Sequence, residues 1–157
     1  MLDPEAKVET ARRLWYAGYS CSQSVAATFA PEMNMTEKQA LRLSSGLGGG
    51  MGGLRVFCGA ITSAFLVLGQ LLGFDDADEF ERKKWLYALE QNAAARFTEI
   101  YGTCNCRELM QKAGILVKAE PSPRTPEYYR VRPCGLYVEQ MVRILVDILN
   151  EEWNSPT

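Results

Sequence analysis

The chain has 157 residues, of which 47% are hydrophobic, and this length and composition suit one domain with one hydrophobic core. Its 17 basic and 19 acidic side chains leave a formal net charge of −2, so we expect no nucleic-acid partner, which would need a concentrated basic surface. The sequence contains no histidine. This excludes Cys-His and Ser-His-Asp nucleophiles, mixed Cys/His zinc sites, histidine-ligated haem and Cys-x-x-Cys-His haem attachment within this chain.

The N-terminal segment MLDPEAKVET has neither the basic region nor the apolar region of a signal peptide. The most apolar stretch, 60–74, covers about fifteen residues and is interrupted by Thr62, Ser63 and Gln70. A membrane span needs about 20 apolar residues, so this stretch predicts a buried helix instead. We therefore expect a cytoplasmic protein without a membrane span, whose five cysteines are mostly reduced.

Apolar residues at helical spacing predict about six or seven helices, most of them with a recognisable start signal. Asp3 caps the first helix, Pro4 takes its first position, and Gly18 ends it. Capping boxes, in which an N-cap hydroxyl is paired with a Gln three residues later, begin the second and third helices at Ser20 and Thr36. The remaining helices are predicted over about 58–72, 76–101, 106–113 and 134–153.

A glycine-rich segment at 46–53 separates the third helix from the fourth, and six of its eight residues are glycine. It follows a helix and lacks a Gly-Lys-Ser/Thr ending, so neither a dinucleotide fingerprint nor a P-loop fits. Its backbone N–H groups could approach an anionic group closely, whereas the alternative is a flexible interhelical connection. The candidate residues for such a contact are Gly48, Gly49, Gly50, Gly52 and Gly59.

No segment shows the alternation of a β-strand, and we find neither internal repeats nor a low-complexity tail. The segment 120–126 contains three prolines and predicts an exposed loop. We therefore predict an all-α fold, a single-domain compact helical bundle over 1–157 with a Gly-rich interhelical loop. Four aromatic residues are expected in the core or at an interface, outside any site: Trp15, Trp85, Tyr16 and Tyr101.

Four of the five cysteines share a position at a predicted helix N-terminus: Cys21, Cys58, Cys106 and Cys134. Unpaired N–H groups and the helix dipole stabilise a thiolate there, and Arg55, Arg107 and Arg132 lie within a few residues of three of them. The pattern therefore favours ionised sulfur, the form that acts as a nucleophile or a metal ligand. The alternative is that these cysteines are small buried hydrophobic residues without a chemical role.

Five segments in chain order carry a resemblance: Cys21-Ser-Gln-Ser-Val, Ser45-Gly-Leu-Gly-Gly-Gly-Met-Gly-Gly, Cys58-Gly-Ala-Ile-Thr, Asn105-Cys-Arg-Glu-Leu and a late Cys134. Over about residues 10–150 they resemble the C_GCAxxG_C_C family of bacterial and archaeal proteins, which is described as redox-active. The resemblance implies that Cys21, Cys58, Cys106 and Cys134 are the family's four cysteines and that Cys104 is an incidental neighbour. The chain departs from the family pattern at Ser63, where Cys-Gly-Ala-x-x-Gly would place a glycine.

The resemblance implies a redox role with two chemistries open. The four cysteines either ligate an iron–sulfur cluster or cycle between dithiol and disulfide, with Cys58 paired to Cys21 or Cys106. A related domain occurs in split-Soret cytochrome c, a dimeric haem protein with an iron–sulfur centre, but this chain has no haem attachment. The alternative is a non-catalytic module with a structural four-cysteine zinc site or a homodimer face on the Cys58 helix or the long tryptophan-bearing helix. The redox partner is not identified by these residues.

Overall fold

Helices make up the regular secondary structure of residues 1–156, the part of the chain that this computed structural model describes. Within these residues there is no β-strand, only one isolated bridge between Phe57 and Asn105, so the prediction of an all-α fold is confirmed. A single 3-10 turn spans Ser45–Leu47. The helices are α1 Pro4–Tyr16, α2 Cys21–Thr28, α3 Glu37–Ser44, α4 Gly59–Leu72, α5 Phe80–Tyr101, α6 Cys106–Lys112, α7 Pro126–Val131 and α8 Cys134–Asn154.

Both predicted capping boxes form at the starts of α2 and α3. The Ser20 hydroxyl accepts the Gln23 N–H at 3.3 Å, and the Gln23 side chain accepts the Ser20 N–H at 3.1 Å. Thr36 makes the same reciprocal pair with its Gln at the start of α3. A side chain at such an N-cap typically contributes about 1 kcal/mol, because it satisfies an N–H group that has no partner within the helix.

The C-terminal helix α8 packs against α1, α2, α4 and α5 and carries much of the core. Six of its apolar side chains are at most 1% exposed, all of them expected inside: Val138, Met141, Val142, Leu145, Ile148 and Leu149. Full burial of one such side chain contributes about 1.5–3 kcal/mol. Helix α2 is equally internal although it is partly polar, because the hydroxyls of its buried Ser22, Ser24 and Thr28 donate to backbone carbonyls.

Helix α4 packs against α2, α5 and α8, and along its length only Gln70 is exposed. Phe65, Leu66 and Leu71 of this helix are half-buried, and on α5 Phe80, Tyr87 and Ile100 are exposed. A homodimer face on either helix stays a prediction. No helix in the described part of the chain is long and apolar enough to cross a membrane.

Two boundaries differ from the sequence-based expectation. Helix α5 begins at Phe80 instead of near Asp76, because the Asp76 carboxylate accepts the Asp78 N–H at 2.9 Å and holds a turn there. The short helix α7 was not predicted. Its start signal is nonetheless ordinary, since Thr125 accepts the Tyr128 N–H at its N-cap and a proline occupies the first position.

A short antiparallel pairing joins the segment before α4 to the segment before α6. The Cys58 N–H donates to the Cys104 carbonyl at 2.9 Å, and the Cys106 N–H donates to the Val56 carbonyl at 2.7 Å. Residues 48 apart in sequence therefore meet at the bridge between Phe57 and Asn105. The pairing places the start of α4 beside the start of α6.

Candidate functional site

Four cysteines from four helix starts line one cavity of about 300 Å³. Each is the N-cap or the first residue of its helix: Cys58 caps α4, while Cys21, Cys106 and Cys134 begin α2, α6 and α8. No disulfide joins any of the described cysteines. The structure thus brings together all four cysteines that were singled out from the sequence.

The fifth cysteine, Cys104, faces away from this cavity. Its Sγ lies 3.0 Å from Thr98 Oγ1 and 3.6 Å from the Ala94 carbonyl oxygen, so the thiol packs against α5. Only the Cys104 backbone contributes to the site, through the carbonyl that accepts the Cys58 N–H. The arrangement of four cavity thiols and one neighbour matches the four-cysteine pattern expected from the resemblance.

The glycine-rich segment forms a left-handed turn. Five consecutive residues, 49–53, have φ between +62° and +78°, and one of them is Met51 at +73°. Left-handed backbone costs a non-glycine residue about 1–2 kcal/mol, which is why glycine fills the other four positions. The turn is tied down by its own backbone, since the N–H groups of Gly52, Arg55 and Val56 donate to carbonyls six residues earlier at 2.8–3.0 Å. The alternative of an unstructured connection therefore does not describe this segment.

The five candidate glycines have different positions relative to the cavity. Gly48, Gly49, Gly52 and Gly59 line it, whereas Gly50 does not. A Cβ at Gly50 would lie 2.6 Å from the Cys106 Cβ, so this glycine allows α6 to pack against the turn. The Gly52 N–H donates to the Gly46 carbonyl, whereas the Gly49 N–H is near enough to the Cys21 thiol to lower its pKa. Of the backbone donors that were expected to meet an anion, the Gly49 N–H is therefore directed at a cavity thiol.

A close approach at Gly59 sets Cys21 against the first turn of α4. A Cβ at Gly59 would lie 2.8 Å from the Cys21 Sγ and 2.7 Å from the Leu47 carbonyl oxygen. These separations are shorter than ordinary van der Waals contact, so only glycine fits at this position. Gly59 directly follows Cys58. The Cys21 thiol therefore contacts the residue next to a second cavity cysteine.

The wall of the cavity is strongly basic. Arg55, Arg124 and Arg132 line it, and no carboxylate is among the lining residues. None of the three forms an ion pair with any described residue. Arg55 Nη1 donates weakly to the Cys106 Sγ at 3.8 Å, and Arg55 Nε donates to the Lys118 carbonyl at 3.1 Å.

Two of these arginines come from the segment that covers the cavity between α6 and α8. The Arg124 guanidinium stacks 4.2 Å from the Trp15 ring and 4.5 Å from the Tyr128 ring, and its Nη2 donates to the Tyr19 carbonyl at 3.0 Å. The segment 120–126 is a mostly exposed loop up to the start of α7, as predicted, although Ser122 and Arg124 are half-buried. Trp15 is buried in the core, as expected, and it lines the cavity together with Arg124.

Burial raises the pKa of three cavity thiols. It raises the pKa of Cys21, raises that of Cys58 well above its ordinary value of 9.0, and raises that of Cys134 to about 12. Neighbouring cysteines add to each shift, because a second thiolate in the same cavity is unfavourable. Burial similarly raises the pKa of the cavity-lining Tyr137 phenol to about 12.

The expected preference for ionised sulfur is therefore not what the structure shows. Backbone N–H groups of Gly49 and Ser22 lower the pKa of Cys21, and the Arg132 guanidinium lowers that of Cys134. These are the effects that the helix starts and arginines were expected to exert, and they have the predicted sign. The loss of hydration around a buried thiolate outweighs them, so these thiols are neutral at pH 7.

The residues that line the cavity suit a single zinc ion and an iron–sulfur cluster to different degrees. Among the described residues, no three cysteine or carboxylate side chains form a group that could hold a single metal ion, so the structural zinc alternative gains no support. An iron–sulfur cluster is larger, takes four cysteine thiolates as ligands, and is anionic in their company. The four thiols match this ligand set, and the three unneutralised guanidiniums suit its negative charge.

The family model described as "Putative redox-active protein (C_GCAxxG_C_C)" matches residues 19–148 of the chain. The chain belongs to the C_GCAxxG_C_C family. Neither the curated proteins nor the solved structures contain a match to it. Within this C_GCAxxG_C_C protein, Ser63 stands where the motif Cys-Gly-Ala-x-x-Gly would place its last glycine. The Ser63 side chain is fully buried in α4, and its Oγ has no hydrogen-bond partner among the described residues.

Proposed function

We propose that this chain is a redox protein whose centre is an iron–sulfur cluster held by the four cavity cysteines. The observation that carries the proposal is the convergence of Cys21, Cys58, Cys106 and Cys134 on one cavity whose wall contains three arginines and no carboxylate. A bound cluster would supply one-electron transfer. A cytoplasmic location and a separate protein as electron partner belong to the same proposal.

The protonation state of the thiols supports ligation over free-thiol chemistry. A buried thiol with a raised pKa, as at Cys58 and Cys134, is a weak nucleophile at neutral pH. A coordinating thiol is deprotonated by the positive charge of the metal, so ligation does not require a low pKa in the empty cavity. Loading of the centre should accordingly release protons.

The remaining residues of the cavity would hold and tune such a centre. The Gly49 backbone lowers the pKa of Cys21, and Cys106 accepts weakly from Arg55, so donors already act on two of the four sulfurs. Hydrogen bonds to ligand sulfur raise the reduction potential, because they stabilise the additional negative charge of the reduced state. Leu109 and Met110, each at most 2% exposed, exclude water from the same wall.

Dithiol–disulfide exchange is the second candidate, and the contact at Gly59 favours it specifically. That contact sets the Cys21 thiol beside the start of α4, next to Cys58. In this reaction the two thiols would form a Cys21–Cys58 disulfide while a substrate disulfide is cleaved to two thiols. The two electrons and two protons pass from the cysteines to the substrate, so no further oxidant is needed.

Anaerobic purification with an absorption spectrum, iron and labile-sulfide analysis and thiol counting tests both candidates. We expect iron and sulfide together with visible absorbance, and loss of both in each of the variants Cys21→Ser, Cys58→Ser, Cys106→Ser and Cys134→Ser. Cys104→Ser is the matched control and should keep the centre, because its thiol faces α5. A colourless protein with fewer than five free thiols that rise to five on reduction would support exchange instead. Five free thiols without iron would contradict both candidates.

A further inference from the structure

The Arg124 guanidinium has a buried donor without a partner. Its Nη1 is shielded from solvent and has no hydrogen-bond acceptor among the described residues. The group cannot easily turn away, because the Trp15 and Tyr128 rings hold it and its Nη2 is engaged by the Tyr19 carbonyl. A buried charged donor that is left unpaired is unfavourable, so its persistence points to an acceptor that the protein itself does not supply.

A second guanidinium lies over the same tyrosine ring as the first. The Arg132 and Arg124 guanidinium carbons lie 5.0 and 4.5 Å from the centroid of the same Tyr128 ring. Arg132 donates to only two neutral acceptors, the Ser122 hydroxyl at 3.2 Å and the Met110 sulfur at 3.6 Å. With no carboxylate in the wall, both cations lack a counter-charge, and an anion bound in the cavity would supply one.

We propose that the cavity contains a subsite for a small oxyanion, of the carboxylate or phosphate class, which Arg124 and Arg132 bind next to Cys21 and Cys134. Arginine suits this ligand because its planar fork matches the oxygens of a carboxylate or a phosphate. The cavity of about 300 Å³ is at the lower end of the range for ligand pockets, which favours a small molecule over a nucleotide.

The subsite shares its cavity with the cysteines. Arg124 and Arg132 line the same cavity as Cys21 and Cys134, so a bound oxyanion would lie in the space that these sulfurs also face. Binding of the anion does not rest on the proposed function, because it requires only the two guanidiniums.

Thermal unfolding at constant ionic strength tests the subsite, with inorganic phosphate or acetate replacing chloride. We expect a saturable rise in melting temperature, because a ligand that binds only the folded state stabilises it by mass action. Arg124→Gln should weaken the apparent affinity at least about tenfold, since it removes a charge-assisted pair. Arg42→Gln, an exposed arginine on α3 outside the cavity, should leave the affinity unchanged.

Three outcomes would overturn the subsite: no saturable rise with either probe, an equal rise in Arg124→Gln, or binding that occurs only after iron has been removed with a chelator. The last would mean that the arginines serve the cysteine-bound group and not a free ligand. If Arg124→Gln does not fold, Arg132→Gln carries the same comparison. The iron content and visible spectrum report on the proposed centre independently, so its failure is distinguishable from that of the subsite.

Discussion

Two glycines of α4 form a matched pair of substitutions that tests the close approach at the cavity. Gly59→Ala would place a Cβ 2.7 Å from the Leu47 carbonyl oxygen and 2.8 Å from the Cys21 sulfur. Gly69→Ala, ten residues further along the same helix, would place its Cβ where no atom lies within 4 Å. The two variants add the same methyl group to the same helix, so their difference reports the local packing.

The expected effects have opposite signs. Gly69→Ala should stabilise the protein by about 1 kcal/mol, because alanine has the better helix propensity. For a chain of 157 residues, this is a rise in melting temperature of about 2–4 °C. Gly59→Ala should cost about 1–3 kcal/mol, because the left-handed turn is held by its own hydrogen bonds and cannot retreat from the new methyl group. It should also displace the Cys21 thiol.

Thermal unfolding followed by circular dichroism at equal protein concentration measures both variants, and thiol and iron analysis of the folded protein measures the second effect of Gly59→Ala. We expect a lower melting temperature together with loss of the cysteine centre in Gly59→Ala, and neither in Gly69→Ala. Equal stabilisation of the two variants, with the centre intact in both, would refute the packing of Cys21 against α4.

Three further predictions concern buried groups and backbone strain. Ser63→Ala should raise the free energy of unfolding by about 1 kcal/mol, because it removes a buried hydroxyl that has no partner. Ser22→Ala should lower the free energy of unfolding, because it removes the hydrogen bond to the Ser44 carbonyl. Thermal unfolding of the two variants checks both signs. In the reduced, metal-free protein the pKa of Cys134 is about 12 against an ordinary 9.0, so stability present below about pH 9 is lost as pH rises towards 12. Urea unfolding from pH 7 to 11 should therefore give a flatter profile for Cys134→Ser than for the wild type. Met51→Gly should stabilise the protein by about 1 kcal/mol in urea unfolding, because it relieves a left-handed φ of +73°.

Helix starts were predictable because their signals are local. The hydroxyl of Ser20 and the side chain of Gln23 satisfy each other's backbone N–H groups within four residues, whatever the rest of the chain does. The start of α5 was misjudged for an equally local reason, since an Asp76 side chain that caps a turn competes with the helix that it could begin. Helix α7 was missed although Thr125 and Pro126 signal it, because six residues are too few to show periodicity.

The grouping of the four cysteines was anticipated, but their protonation state was not. Position at a helix start is visible in the sequence, and the N–H donors that it implies do act on Cys21. Burial is a tertiary property, set for Cys58 by the packing of α4 between α2, α5 and α8. Since desolvation is the larger effect, the thiols of Cys21, Cys58 and Cys134 are neutral at pH 7 although the local donors favour the thiolate.

The basic wall was the property of the site that local patterns could least reveal. Arg124 lies in a proline-rich segment with no periodicity, and its place in the cavity depends on the rings of Trp15 and Tyr128, which are 109 and 4 positions away along the chain. With no carboxylate in the wall, three guanidiniums give the cavity a positive potential, so it repels a bare metal cation and attracts an anion. A group that enters this cavity must therefore be anionic itself or displace the thiol protons as it binds, and both proposed occupants meet that condition.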